Sequence, residues 1–135
     1  RKISITDPYI RTFHQTRNLM EFIETIIKLK EPEDEVIVDL VTGEDDFNPD
    51  KQVEYLEKVQ EASQQAGIEF SWKFDRSRVI HARYIMTDNG WKISLDRGLD
   101  IYQPFSGNDA FTLANRLQVF RACKAFEVTY IPTNR

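Results

Sequence analysis

Along the first residues, apolar Ile3 and Ile5 alternate with polar Ser4 and Thr6, and Asp7-Pro8-Tyr9 follows. Period-two alternation marks a strand, and a proline that cannot donate to a ladder stops it there. The period then changes. Leu19, Phe22, Ile23, Ile26 and Ile27 recur three and four residues apart behind Thr12-x-x-Gln15, a capping box, so an amphipathic helix packs one face on the core. After a charged break at 31–35, residues 36–41 are nearly all apolar and β-branched, the composition of a central strand covered on both faces.

An acidic loop at 43–47 leads to Asn48-Pro49, an N-cap followed by the residue best tolerated at the first helical position. Val53, Leu56 and Val59 give the second helix its apolar side, and Gly67 is placed to cap its end. Ile68, Phe70, Trp72 and Phe74 alternate with Glu69, Ser71, Lys73 and Asp75, a third strand with one wetter face. Strand-helix-strand-helix-strand implies right-handed crossovers and parallel pairing. The β-prone runs 79–87 and 91–96 flank Asp88-Asn89-Gly90, a strong hairpin signal, so strands four and five form a hairpin. Residues 106–109 read as a loop, 114–124 fit helix and strand equally, and 126–131 read as a C-terminal strand. The expectation is an α/β fold: a mixed sheet flanked by helices, beginning β-α-β-α-β and followed by a hairpin and a last strand.

Composition narrows what such a domain can do. With 135 residues, 41% hydrophobic and 30% charged, the chain reads as a single folded domain over 1–135, too short for two. It starts at Arg1 inside a strand-like stretch, which suggests a piece cut from a longer protein. No run approaches the roughly 18 apolar residues of a membrane span, and no signal-peptide core is present. Cys123 is the only cysteine, which excludes an intrachain disulfide and a cysteine-based metal site and fits a reducing, cytoplasmic setting. No cofactor is called for. A net charge of -4 argues against coating nucleic acid or acidic lipid with the whole surface, so an anionic partner must be bound locally.

The run 81–88 carries the most chemistry. Residues two apart on a strand share a face, so His81, Arg83, Ile85 and Thr87 lie together while Ile80, Ala82, Tyr84 and Met86 face the other way. Since the second set is the more apolar, it is assigned to the core, leaving His81 and Arg83 on the open face. A guanidinium fork matches phosphate oxygens, and an imidazole can act as nucleophile or acid near neutral pH. Asp88 at the turn would orient or balance either. The plainer account of the same residues is a polar face with an ion pair to Asp88.

Other candidates have two readings each. Arg11 and His14 stand where a helix N-terminus captures anions, or where a first turn is simply capped and solvated. Tyr9 and Trp91 read as packing. Arg76 and Arg78 extend a basic rim or lie in a solvated loop, and Arg97-Gly98 marks a turn. Glu44, Asp45 and Asp46 lack the alternating ligand spacing of a calcium loop, and no transition-metal site is supported by two His and one Cys. The negative net charge opposes membrane binding unless these loop carboxylates lie away from the basic face.

His81-x-Arg83-x4-Asp88 resembles the His-x-Lys-x4-Asp signature of the phospholipase D superfamily with Arg for Lys. Over nearly the whole chain, a narrower resemblance is to the phospholipase-D-like C-terminal domains of the MIT-domain-containing protein 1 family. It rests on Asp7-Pro8-Tyr9-Ile10-Arg11 with His14-Gln15 and Asn18, Ile80-His81-x-Arg83, Asn89-Gly90-Trp91, Arg97-Gly98-Leu99-Asp100 and Cys123. The resemblance implies a homodimer that binds acidic phospholipid membranes rather than an active lipase, with Arg97 a further anion contact; no MIT module is present. One motif copy, Arg in place of Lys and no Gly-Ser-x-Asn segment separate the chain from active members, which place two such histidines in one site. A metal-independent phosphodiesterase or nuclease remains open if two subunits bring their His81 side chains together, with Arg83 and Asp88 in support. So does a dimerisation or docking module for the rest of its own protein. Nucleic acid is the less favoured ligand.

Overall fold

The computed structural model describes residues 1–76, 82–95, 99 and 127–133. Among them the order is β1 (Lys2–Thr6), α1 (Phe13–Leu29), β2 (Val36–Thr42), α2 (Pro49–Gln65), β3 (Ile68–Phe74), β4 (Tyr84–Thr87), β5 (Trp91–Leu95) and β6 (Val128–Pro132). The local signals act as expected. Thr12 and Gln15 close a capping box on α1, Asn48 accepts from the Lys51 amide with Pro49 in the first turn of α2, and Gly67 ends α2 at φ +80°. Gly90 also takes a left-handed conformation, φ +97°, in the β4–β5 hairpin.

The strands form one mixed sheet in the order β3-β2-β1-β4-β5-β6. β1, β2 and β3 are parallel, and β4, β5 and β6 extend the sheet from β1 by antiparallel pairing. Both crossovers, β1-α1-β2 and β2-α2-β3, step the same way across the sheet. Equal handedness therefore puts both helices on one face, and the edge-on contact of the Phe13 and Tyr55 rings at 5.8 Å joins them. Leu19 and Ile23 from α1 and Leu56 and Val59 from α2 bury against Ile5, Val38, Leu40, Ile68 and Phe70.

Two expectations need correction. β2 is an interior strand, but its faces differ: Val36, Val38, Leu40 and Thr42 are buried while Ile37, Asp39 and Val41 are half-buried. On β4 the assigned faces are reversed. Ile85 is 5% exposed and Met86 39% exposed, because Ile85 lies opposite Ile5 in the register and so shares the helix-covered side. Nonlocal pairing, not the local apolarity of Tyr84 and Met86, decides which face is core. Residues 79–81 of the expected fourth strand, residue 96 of the fifth and the segment 100–126 lie outside the described residues; the last strand begins at Val128.

On the far side of the sheet Asp39 accepts a hydrogen bond from Ser71 Oγ at 2.7 Å and pairs with Lys2 Nζ at 3.1 Å. The Ser71 hydroxyl above all holds the Asp39 carboxyl below the usual carboxylate range; burial, next in size, opposes it, and the Lys2 ammonium adds to the lowering. A carboxyl depressed in the folded state stabilises above its unfolded value, near ~4, and loses that contribution as pH falls through the folded one. Asp39→Asn is therefore expected to lower the urea midpoint at neutral pH, with the gap to wild type closing in acid. A gap unchanged between about pH 7 and about pH 3 would contradict this.

Candidate functional site

Because β1, β2 and β3 are parallel, their carboxyl ends lie along one rim. β4 runs the other way, so its first residue returns to that rim: Tyr84 is opposite Thr6. The segments 7–12, 43–48, 75–76 and 82–83 thus meet where open α/β sheets bind ligands, outside the strand ends beside the strand from which connections depart.

The β1–α1 segment is held firmly. Asp7 is 2% exposed; its Oδ1 accepts from the Tyr9 amide at 3.0 Å and its Oδ2 from the Leu99 amide at 3.4 Å. Gly43 N donates to Pro8 O, and Ile10 N donates to Thr42 Oγ1, both at 3.1 Å. Gln52, fully buried on α2, donates through Nε2 to the carbonyls of Ile10 and Gly43 at 2.8 Å each and accepts from the Asp45 amide at 2.7 Å. One side chain thereby fastens both loops of the rim to a helix.

On this support stand two arginines and a tyrosine. Arg11 donates from Nε to Pro8 O at 2.8 Å, and its guanidinium lies over the Tyr9 ring, 5.7 Å from the centroid. It also crosses Gly43 so closely that a Cβ there would collide with its Nη2 and lie 2.7 Å from Pro8 O, which accounts for glycine at this position. Arg83 lies against the same ring at 5.0 Å, within cation–π range. Arg11 is charge-balanced by Asp46, 3.7 Å away, whereas among the described residues no carboxylate stands within ion-pair distance of Arg83. A half-buried arginine with no counter-charge among the described residues, its guanidinium against a ring at a strand-end rim, is suited to accept an anion.

Not every expected residue joins this cluster. Asp88 does not: it accepts from the Lys2 amide at 2.9 Å and its own amide donates to the Lys2 carbonyl, at the hairpin end of β4. Five residues of extended chain separate it from Arg83, ~16 Å, so it neither orients nor balances that side chain. At the start of α1, the capping box takes the amides of Thr12 and Gln15, and Gln15 Oε1 accepts from the Arg11 amide as well. Of the two readings of this turn, the capped one describes the backbone. His14 is half-buried within it. Arg76 pairs with Glu44 at 3.2 Å, and Trp91 is 44% exposed on the hairpin rather than packed. His81, Arg78, Arg97 and Cys123 lie outside the described residues.

Three residues with evident roles had no such assignment from the sequence: Tyr9, Gln52 and Asp46. Tyr9 had a signal in Asp7-Pro8, a sharp stop to a strand that turns the next side chain out at the rim. Gln52 had one too, standing four residues before Leu56 on the stripe that continues through Val59 and Ser63. The carboxylates of the 44–46 loop do not lie away from the basic cluster; Asp46 is part of it. Among the described residues no three His, Cys, Asp or Glu side chains assemble as a metal site.

Comparison with known proteins is consistent along the chain. A family model described as the phospholipase D-like domain at the C-terminus of MIT matches residues 1–132. The chain is also similar to MIT domain-containing protein 1 of Mus musculus, 33% identical over 106 residues. The match takes in 78% of this chain and 41% of that protein, so the chain spans less than half of the relative's length.

Proposed function

The chain belongs to the family of phospholipase D-like domains at the C-terminus of MIT proteins, and from that premise we propose that it is a binding domain which holds a phosphate group without cleaving its ester. The observation that carries the reading is Arg83: a half-buried residue whose guanidinium lies against the Tyr9 ring that Arg11 also contacts, with no carboxylate partner among the described residues. The ligand is the headgroup of an acidic phospholipid at a membrane surface, met peripherally in a cytoplasmic setting. Among the described residues no helix is long and apolar enough to cross a bilayer. Binding rather than catalysis is favoured by the position of Asp88, which is tied to β1 at the far end of β4.

The domain works as a homodimer on this reading. Val128, Tyr130 and Ile131 of β6 are 36%, 65% and 41% exposed, and Trp91 stands beside them across the β5–β6 register. Apolar side chains concentrated on a strand left unpaired on one side, among the described residues, suit a second copy better than water.

Cosedimentation with vesicles tests the reading. Binding to vesicles containing phosphatidylserine is expected at low salt, with loss on neutral vesicles and weakening as salt screens the attraction. Equal binding to both vesicle types would refute it. Hydrolysis of a phosphodiester in the presence of chelator, abolished by His81→Ala, would replace it with the phosphodiesterase reading.

A further inference from the structure

The β2–α2 loop places three successive carboxylates at the rim of the arginine cluster, and they are used differently. Glu44 pairs with Arg76 at 3.2 Å. Asp45 accepts from the Asn48 amide at 2.9 Å, and its own amide goes to Gln52. Asp46 alone is paired with a guanidinium that lies on the Tyr9 ring, its Oδ2 3.7 Å from Arg11 Nη1.

Arg11 has little freedom to leave this arrangement. Its Nε is committed to Pro8 O, its Nη2 edge abuts Gly43, and its side chain is 24% exposed. Asp46 is the more open of the two: its side chain is 45% exposed and reaches Arg11 at the long end of ion-pair distance. The tyrosine therefore carries two cations in different states: Arg83, with no carboxylate in ion-pair range among the described residues, and Arg11, paired with an acid.

We propose that Asp46 is a specificity-determining residue of this site, an internal counter-anion that competes with the ligand for Arg11. The inference rests on the anion-binding reading above. A ligand phosphate held by Arg83 meets Asp46 as a like charge and gains Arg11 only by displacing it. Asp46 thus sets a threshold: weakly charged or sparse anions are excluded, and dense ones are admitted. This also gives the negative loop a task at a basic site, where its charge would otherwise only oppose binding.

The test compares Asp46→Asn with Glu44→Gln, an equal charge change in the same loop that does not touch Arg11. Binding to phosphatidylserine vesicles is expected to tighten about fivefold for Asp46→Asn, the scale of one exposed ion pair, and less than twofold for Glu44→Gln. In an Arg11→Ala background the gain from Asp46→Asn should vanish. A similar gain with inorganic phosphate, measured by calorimetry, supports a site for phosphate as such, and a gain confined to vesicles supports one built for a lipid surface. No gain, equal gains from both loop variants, or a gain that survives without Arg11 would overturn the proposal. If Arg83→Ala lowers binding while Asp46→Asn changes nothing, only this inference fails. If wild type and Arg83→Ala bind alike, the anion-site reading itself fails.

Discussion

Gln52→Leu is expected to destabilise the domain by about 3 kcal/mol in urea denaturation. The two side chains have similar volume, so no cavity is created and the transfer of apolar surface even favours Leu. What is lost is polar satisfaction. Gln52 is fully buried, and its amide makes three hydrogen bonds: both N–H donors to the Ile10 and Gly43 carbonyls, and its oxygen accepting from the Asp45 amide. Leu would leave three backbone groups without that partner, each costing about 1–3 kcal/mol if unpaired. Thr42 Oγ1, which lies 3.5 Å from the Ile10 carbonyl and could still donate to it, keeps the total nearer the lower end. Gln52→Glu should cost more, since a carboxylate would face two carbonyl oxygens. A loss under about 1 kcal/mol for Leu would mean that water reaches these groups and that the loops do not depend on the helix.

The same residue shows where sequence reasoning stops. Caps, helix stripes and turns depend on neighbours a few positions apart, so Thr12 with Gln15, Asn48 with Pro49, and Gly67 could be read directly and the β-α-β-α-β order followed. The face of β4 could not be read that way. It depends on Ile85 meeting Ile5 across two antiparallel strands, whereas local apolarity points to Tyr84 and Met86 instead. Gln52 is not legible from sequence because a polar side chain on an apolar stripe is informative only once its partners on two other loops are known. Tyr9 reads as packing from sequence for a related reason: the two guanidiniums on its ring come from segments distant from each other in sequence. The separation of Asp88 from Arg83, by contrast, was available in advance, since strand geometry alone puts five residues ~16 Å apart.

Arg83→Ala is expected to reduce binding to acidic vesicles at least tenfold, a loss of about 1.4 kcal/mol or more, with little effect on folding. Fold and function separate here because Arg83 makes no ion pair among the described residues, and its backbone carbonyl, which accepts from the Leu95 amide at 3.0 Å, is untouched by the substitution. Charge and shape can then be told apart. Arg83→Lys keeps the charge but loses the planar fork, which can grip two phosphate oxygens at once and stack on an aromatic ring, so it should recover only part of the affinity and become more sensitive to salt. Tyr9→Leu keeps both cations and removes the surface that holds them, and it should weaken binding even though no charge changes. Full recovery by Lys would reduce the site to a diffuse positive potential. If Tyr9→Leu bound as well as wild type, the ring would be only a neighbour of the arginines and not the element that fixes their geometry.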